Sequence, residues 1–243
     1  MITLGCFLCI FAYGLRAALC TKVTKVELSS DKIPHDLNIM LVSDLHVDDI
    51  LSTVHLKELK KQIETQQPDV VLIAGDFFNR ANPRQAEYFN TLTGLSVPLY
   101  AIEGNHDTMG NLKALERVSQ LTNIHFLFNE SVVLPERNLQ LIGLKERGQR
   151  KRGEDDDGLS ATLEESALQS GDFYNILLTH QPIGLRKLAD FPVDLEVAGH
   201  THKLQIRGLH FLSYLINDYT YGLYTGGSRN ERHAFVSQGI GTR

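Results

Sequence analysis

The chain has 243 residues, which is enough for one sizeable α/β domain with a short appendage. Its hydrophobic content of 42% and charged content of 22% are ordinary for a globular protein, and its net charge of −5 argues against a broad nucleic-acid-binding face. The cysteines are Cys6, Cys9 and Cys20, so thiolate metal sites and structural disulfides are excluded from the rest of the chain.

The first 20 residues form an apolar segment, of which residues 1–15 are almost wholly apolar. This run is shorter than the roughly 20 residues that span a membrane. It fits the tail of a longer membrane helix, a short anchor in which Arg16 reaches the surface, a signal peptide without a positive start, or a buried helix. We favour an anchor at residues 1–20 on a catalytic domain of residues 21–243. Arg16, Lys22 and Lys25 then predict an inner or cytoplasmic membrane location with a cytoplasmic catalytic domain.

Short apolar runs and helical patterns fill most of the remaining chain. Residues 22–28 suggest one arm of a hairpin-like pair, and runs typical of strands buried on both faces follow at residues 37–43, 69–74, 98–103, 173–178 and 194–198. Helices are predicted at residues 52–66, 83–93 and 111–121, with another opening at the capping-box spacing of Thr162 and Glu165. Further strands are predicted at residues 124–128, 131–134, 139–144 and 233–238. These elements predict an α/β fold, a two-sheet β-sandwich flanked by helices.

Clusters of metal-binding residue types directly follow five of these predicted strands. In open α/β sheets ligands bind just beyond the carboxyl ends of the strands, so we expect the clusters to converge. Their carboxylate, imidazole and amide groups suit two divalent ions such as manganese, iron or zinc, with manganese favoured. The clusters are Asp44-Leu45-His46, Gly75-Asp76, Gly104-Asn105-His106-Asp107, Thr179-His180 and Gly199-His200-Thr201-His202.

In this order, D-x-H, GD, GNHD, H and GHxH resemble the calcineurin-like metallophosphoesterase family over roughly residues 37–241. The resemblance implies a four-layer αββα fold and a hydrolase of phosphoester or pyrophosphate bonds. It also implies the ligands: Asp44, His46 and His202 for metal one, Asn105, His180 and His200 for metal two, and Asp76 as the bridge.

Four further residues are candidates for catalysis or substrate binding. The resemblance implies that His106 protonates the leaving oxygen or stabilises the phosphorane-like charge, and that Asp107 holds the other ring nitrogen of His106. Arg80 and Lys203 are candidate contacts to a substrate phosphate, and Lys203 stands where relatives often carry glycine.

Two segments leave alternatives open. The charge run at residues 145–158 is either a solvated loop or a lid that meets an anionic substrate or lipid headgroup. The aromatic-rich residues 208–224 are either core or an amphipathic segment at the membrane interface that admits a lipid-linked phosphate.

We therefore expect a dinuclear metal-dependent hydrolase acting on a phosphate-containing small molecule or lipid, with membrane association and with neither nucleic acid nor an obligate protein partner. The apolar start and the Tyr-Gly-Leu-Tyr sequence at residues 221–224 look most like bacterial membrane-associated members. Some of those members hydrolyse UDP-2,3-diacylglucosamine. A non-catalytic membrane-associated scaffold on the same fold is the alternative.

Overall fold

The structure is a computed structural model that describes residues 21–48, 52–79, 83–109, 112–146, 163, 172–202, 219–227 and 231–240. Two β-sheets pack face to face and helices cover them, which confirms the predicted α/β architecture. Several predictions fall outside the described residues: the anchor at residues 1–20, most of the charge run, the start of the helix at Thr162, and residues 208–218.

The first sheet is parallel, with the strand order β1-β2-β3-β4. Its central strand β2 is buried along its whole length because both faces of the sheet are covered. The second sheet has the order β5-β6-β7-β8-β10-β9 and is parallel from β6 to β10, with an antiparallel strand at each edge. The strands are β1 (Ile39–Val42), β2 (Val70–Ala74), β3 (Leu99–Ile102), β4 (Ile124–Phe126), β5 (Glu130–Leu134), β6 (Leu139–Gly143), β7 (Tyr174–Leu178), β8 (Leu195–Ala198), β9 (Gly222–Gly226) and β10 (Arg232–Val236).

The α-helices whose bounds the structure describes follow strands of the first sheet. Helix α1 (Ser52–Gln66) buries Leu56, Leu59 and Ile63, a stripe with helical spacing that contributes roughly 1.5–3 kcal/mol for each side chain. Two further α-helices are α2 (Asn105–Thr108) and α3 (Leu112–Leu121). The predicted helix at residues 83–93 forms as a 3₁₀ helix (Pro83–Leu92), and a short 3₁₀ turn spans Pro135–Arg137.

The core lies in layers separated by the sheets. Alternate residues of β2 point to opposite sides: Val70, Leu72 and Ala74 fill the space between the two sheets, whereas Val71 and Ile73 pack under the helices. A third cluster covers the outer face of the second sheet. Because β2 is packed on both faces, it provides a rigid support for the loop that begins at Gly75.

One strand prediction was wrong, and one strand was not predicted. Residues 22–28 form no strand, because Val23 and Val26 are three positions apart and cannot share one face; both are exposed. Strand β9 was not predicted, because it lies in an aromatic-rich segment; its residues are half-buried or exposed, and it forms a strand by pairing with β10. Within the described ranges, no helix combines the length and the apolar character needed to cross a bilayer.

Candidate metal centre

The predicted ligands meet at one edge of the molecule, where parallel strands of both sheets end. Hydrogen bonds join the sheets there. The His180 Nδ1–H donates to the carbonyl oxygen of Ala74 at 2.8 Å, and the His200 amide donates to Asp44 Oδ1 at 3.1 Å. Loops that follow β1, β2, β3, β7 and β8 therefore face a shared space, as their positions at the carboxyl ends predict.

The backbone at this edge is sharply turned. Positive φ angles are uncommon in residues other than glycine, and each costs of order 1–3 kcal/mol unless the surrounding structure holds it. Such residues cluster where a turn must direct side chains toward a functional site. Five of the predicted ligands have positive φ: Asp44 (54°), His46 (44°), Asp76 (55°), His200 (70°) and His202 (48°).

The first group of ligands contains Asp44, His46, Asp76 and His202, whose ligand atoms all lie within 4.8 Å of one another. Nε2 of His46 and Nε2 of His202 are 3.2 Å apart. Nε2 of His202 also lies 3.5 Å from Asp44 Oδ1. Lone pairs from three directions therefore point at one small volume, which suits a divalent cation.

The second group contains Asn105, His180 and His200. Nε2 of His180 lies 2.9 Å from Asn105 Oδ1 and 3.2 Å from Nδ1 of His200. Because Nδ1 of His180 carries its proton toward the Ala74 carbonyl, this tautomer leaves Nε2 available as a ligand. The structure thus brings together both predicted ligand sets.

Asp76 lies between the two groups. Its Oδ2 is 3.3 Å from Nε2 of His180 and 3.7 Å from Nε2 of His46, and its Oδ1 accepts the His106 amide at 3.0 Å. Burial opposes ionisation of this carboxyl, but its contacts with His180 and His46 outweigh that effect and lower its pKa to about 2. A carboxylate at this position can serve two cations at once.

The two histidines of the second group respond in opposite ways to burial and charge. Burial lowers the pKa of His180, but the contact with Asp76 outweighs it and raises the pKa to about 9 in the metal-free chain. Burial and the neighbouring His180 lower the pKa of His200 to about 4. A cation bound here must therefore displace a proton from His180.

His106 lies beside the first group without belonging to it. Its Nδ1 is 3.2 Å from the carbonyl oxygen of Asn79, which can only accept, so Nδ1 carries a proton. Its ring meets that of His46 edge-on, with centroids 5.1 Å apart. This placement suits a residue that acts on the substrate rather than on a metal ion.

The role expected for Asp107 is wrong. Its carboxylate is fully buried and accepts backbone amides from Gly104 (2.9 Å), Phe77 (3.1 Å) and Phe78 (3.1 Å), while the Asn79 carbonyl takes the His106 ring. Burial raises the pKa of Asp107 to about 7, although the amides favour the charged form. Asp107 therefore joins the loop after β2 to the loop after β3.

Glycine is required where these loops touch. A Cβ on Gly104 would lie 2.1 Å from Asp76 Oδ1, although its φ of −108° is accessible to any residue. The donor set of carboxylate, imidazole and amide groups, converging in two groups that share Asp76, fits a pair of divalent ions.

The sequence did not indicate a role for Glu196, a buried carboxylate within the mostly apolar strand β8. The candidate substrate contacts Arg80 and Lys203 lie outside the described part of the chain.

Known proteins share this sequence pattern and fold. An uncharacterized metallophosphoesterase of Helicobacter pylori is 27% identical over 90% of this chain and 58% of its own length. A transmembrane protein with metallophosphoesterase domain from Danio rerio is 30% identical over 95% of this chain and 55% of its own length. The chain thus spans under two thirds of these relatives. The fold resembles that of TT1561 of Thermus thermophilus, with a TM-score of 0.56 and 13% identity over 85% of this chain and 91% of that one.

The family model described as calcineurin-like phosphoesterase matches residues 37–204, which is well over half of the chain. This range contains both ligand groups and Asp76. The chain therefore belongs to the calcineurin-like phosphoesterase family, as a metallophosphoesterase with a candidate dimetal site of histidine and aspartate side chains.

Proposed function

We propose that this protein hydrolyses phosphoester or phosphoanhydride bonds of a lipid-linked or otherwise membrane-associated substrate. The observation that carries the hydrolytic part is the convergence of two ligand groups on Asp76, whose Oδ2 lies within 3.7 Å of one imidazole from each group. This arrangement belongs to a pair of cations rather than to a single one.

Asp76 and His106 have different roles beside such a pair of ions. Two bound dications would supply Lewis-acid charge at the phosphoryl group and lower the pKa of water to about 7. The His106 amide and the contacts with His180 and His46 keep Asp76 ionised. The ring of His106, held through Nδ1 by the Asn79 carbonyl, presents its other nitrogen for proton transfer to the leaving oxygen.

Hydrolysis is tested with the purified full chain. We expect Mn²⁺-loaded protein to release p-nitrophenol from bis-p-nitrophenyl phosphate or p-nitrophenyl phosphate, and chelation to abolish this turnover until metal is restored. We favour manganese over iron or zinc because the donors include carboxylate and amide oxygens and no thiolate. Turnover that survives complete metal removal would contradict the proposal.

The lipid part of the proposal rests on exposed apolar side chains near the metal edge. Met109 follows α2 and is 68% exposed, Leu112 begins α3 and is 48% exposed, and Phe128 lies just beyond β4 and is 38% exposed. All three follow β3 or β4 at the edge where the parallel strands end, and exposed apolar groups at that edge suit a substrate with an apolar portion. The apolar residues 1–20 and the transmembrane relative support an anchored protein, and Arg16, Lys22 and Lys25 favour a catalytic domain in the cytoplasm.

A matched pair of variants tests this preference. We expect Met109→Ser with Leu112→Ser to lower kcat/KM for long-chain lipid phosphates, including UDP-2,3-diacylglucosamine, while turnover of bis-p-nitrophenyl phosphate is unchanged. The control is Leu28→Ser, because Leu28 is also exposed and apolar but lies near the opposite edge of the sheets. Lys32, four residues further along, marks that edge by its ion pair with Asp194 at the amino end of β8. Equal loss on both substrate types would count against a lipid-binding mouth.

A further inference from the structure

We propose that Glu196 is a positioning residue that holds His180 in place as a ligand of the second metal ion. This inference rests on the dimetal site of the proposed function. It concerns a residue that contributes no ligand atom and lies in the middle of a strand.

The burial of Glu196 calls for an explanation. The side chain is 1% exposed and lies in β8, between Leu195 and Val197, both of which face the space between the sheets. An ionisable group inside such a strand is costly unless its oxygens are hydrogen-bonded. An apolar residue would fill this position at no such cost, so the carboxylate must serve a purpose that packing does not.

The partners of Glu196 lie on both sides of His180 along the chain. Its Oε1 accepts the Thr179 hydroxyl at 3.2 Å and the Ile183 amide at 2.5 Å, and its Oε2 accepts the Gly184 amide at 3.0 Å. Thr179 directly precedes His180, and the two amides follow it by three and four residues. One carboxylate thus closes the loop from which the His180 imidazole projects.

This clamp complements the other contacts of the loop. The Thr179 amide donates to the Val197 carbonyl at 3.0 Å, and the His180 carbonyl accepts the Gly199 amide at 3.0 Å. These two bonds fix only the beginning of the loop to β8. The bonds from Ile183 and Gly184 fix its end, so that the ring of His180 stays between Ala74 and Asn105.

The chemistry requires a carboxylate at this position. The Thr179 hydroxyl and the amides of Ile183 and Gly184 are all donors, and they use both oxygens of Glu196, so both oxygens must accept. A glutamine of the same shape would turn an NH₂ group toward at least one donor. Glu196→Gln therefore loosens the loop without changing the volume of the side chain.

The test compares two carboxylates of the same segment in the full chain. Asp194 lies at the opposite end of β8 from the metal edge, where it accepts the Asn175 amide and the Lys32 ammonium, both at 2.8 Å. Glu196→Gln and Asp194→Asn each remove one buried or half-buried acceptor from this region. Mn²⁺ binding is measured by titration with metal analysis, and the pairing of the ions by electron paramagnetic resonance.

We expect wild-type protein and Asp194→Asn to bind two Mn²⁺ with the same affinities and to show a spin-coupled pair. Glu196→Gln should keep the first ion and bind the second about 10–100-fold more weakly, with an uncoupled signal at limiting metal. Thr179→Val, which removes the bond from the Thr179 hydroxyl to Glu196, should weaken the binding of the second ion less, and Thr179→Ser should restore it. Should Glu196→Gln fail to fold, the two Thr179 variants decide the question.

Wild-type affinity for both ions in Glu196→Gln or Thr179→Val would overturn the inference. Equal weakening in Asp194→Asn would also overturn it, because the effect would then reflect general stability. A wild-type chain that binds fewer than two ions at saturating Mn²⁺ would instead refute the dimetal premise, and the two failures are thereby distinguished.

Discussion

Nε2 of His46 and Nε2 of His202 lie 3.2 Å apart although 156 residues separate them in the sequence. Their rings are tilted by only 31°, so the two nitrogens face one another across a gap in which two lone pairs alone would repel. A shared proton or a shared cation removes that repulsion. The adjacent carboxylates of Asp44 and Asp76 favour the cation, because their negative charges attract it.

Asp76→Ala should lose both metal ions and reduce turnover to background, because this carboxylate contacts an imidazole of each group. Metal content after gel filtration in Mn²⁺ measures the loss. Asp69→Asn is the matched control, since Asp69 lies at the opposite end of β2 and binds the Asn38 amide at 2.8 Å. A variant at Asp76 that still holds two ions would show that this residue does not bridge them.

His106→Gln should keep both ions but lower kcat by about 10²–10⁴-fold, the range for a positioned general acid. The loss should be largest for substrates with poor leaving groups, because these depend most on proton donation. His125→Gln, at an exposed position of β4, serves as the control. Full turnover of a poor leaving group by the His106 variant would show that another group donates the proton.

Metal binding should depend on pH through His180. Its pKa of about 9 in the metal-free chain means that a cation competes with a proton below that pH. We expect the affinity for the second ion to rise about tenfold per pH unit from pH 7 to pH 9 and then to level off. Titration calorimetry in buffers of different ionisation enthalpy would detect the released proton.

The raised pKa of His180 also predicts how the stability of the metal-free protein depends on pH. The folded-state pKa of His180 lies above its ordinary value of 6.5, so its contribution is fully present below pH 6.5 and is lost as the pH rises to about 9. Thermal unfolding in chelator should therefore show Tm falling across this window. A Tm that rises there would mean that His180 is neutral in the folded chain.

Gly104→Ala should disturb the metal centre by steric conflict alone. The added Cβ would meet Asp76 at 2.1 Å, and overpacking of this kind typically costs about 1–3 kcal/mol. We expect weaker metal binding together with lower unfolding free energy. Gly94→Ala is the control, because Gly94 has a φ of +84° but no neighbour within 4 Å, so it adds backbone strain without a clash. Equal metal affinity in both variants would refute the steric account.

Local patterns were sufficient for the strands that precede the ligands and for the ligands themselves. Continuous apolar runs mark β2, β7 and β8 because strands buried on both faces need no polar side, and each ligand follows such a run. The rule that sites form at the carboxyl ends of parallel strands then predicts that His180 and Asp76 lie together.

Other features depend on partners that are distant along the chain. Asp107 is adjacent to His106 in sequence, yet its carboxylate is taken by the amides of Phe77 and Phe78. Strand β9 exists because β10 supplies its hydrogen bonds, whereas residues 22–28, whose alternation is broken between Val23 and Val26, form no strand. Periodicity reports which residue types can be buried, but it does not report which backbone groups are free to pair.

By itself, the sequence determined the α/β class, the order of the five motifs and the identity of the metal-binding residue types, since these follow from composition and spacing along one chain. Only the tertiary structure decided that the donors form two groups around Asp76, that Asp107 ties two loops together, and that Glu196 closes the loop of His180. Those relationships are distances and directions between groups on different loops, and they arise when the two sheets pack and bring their strand ends to one edge.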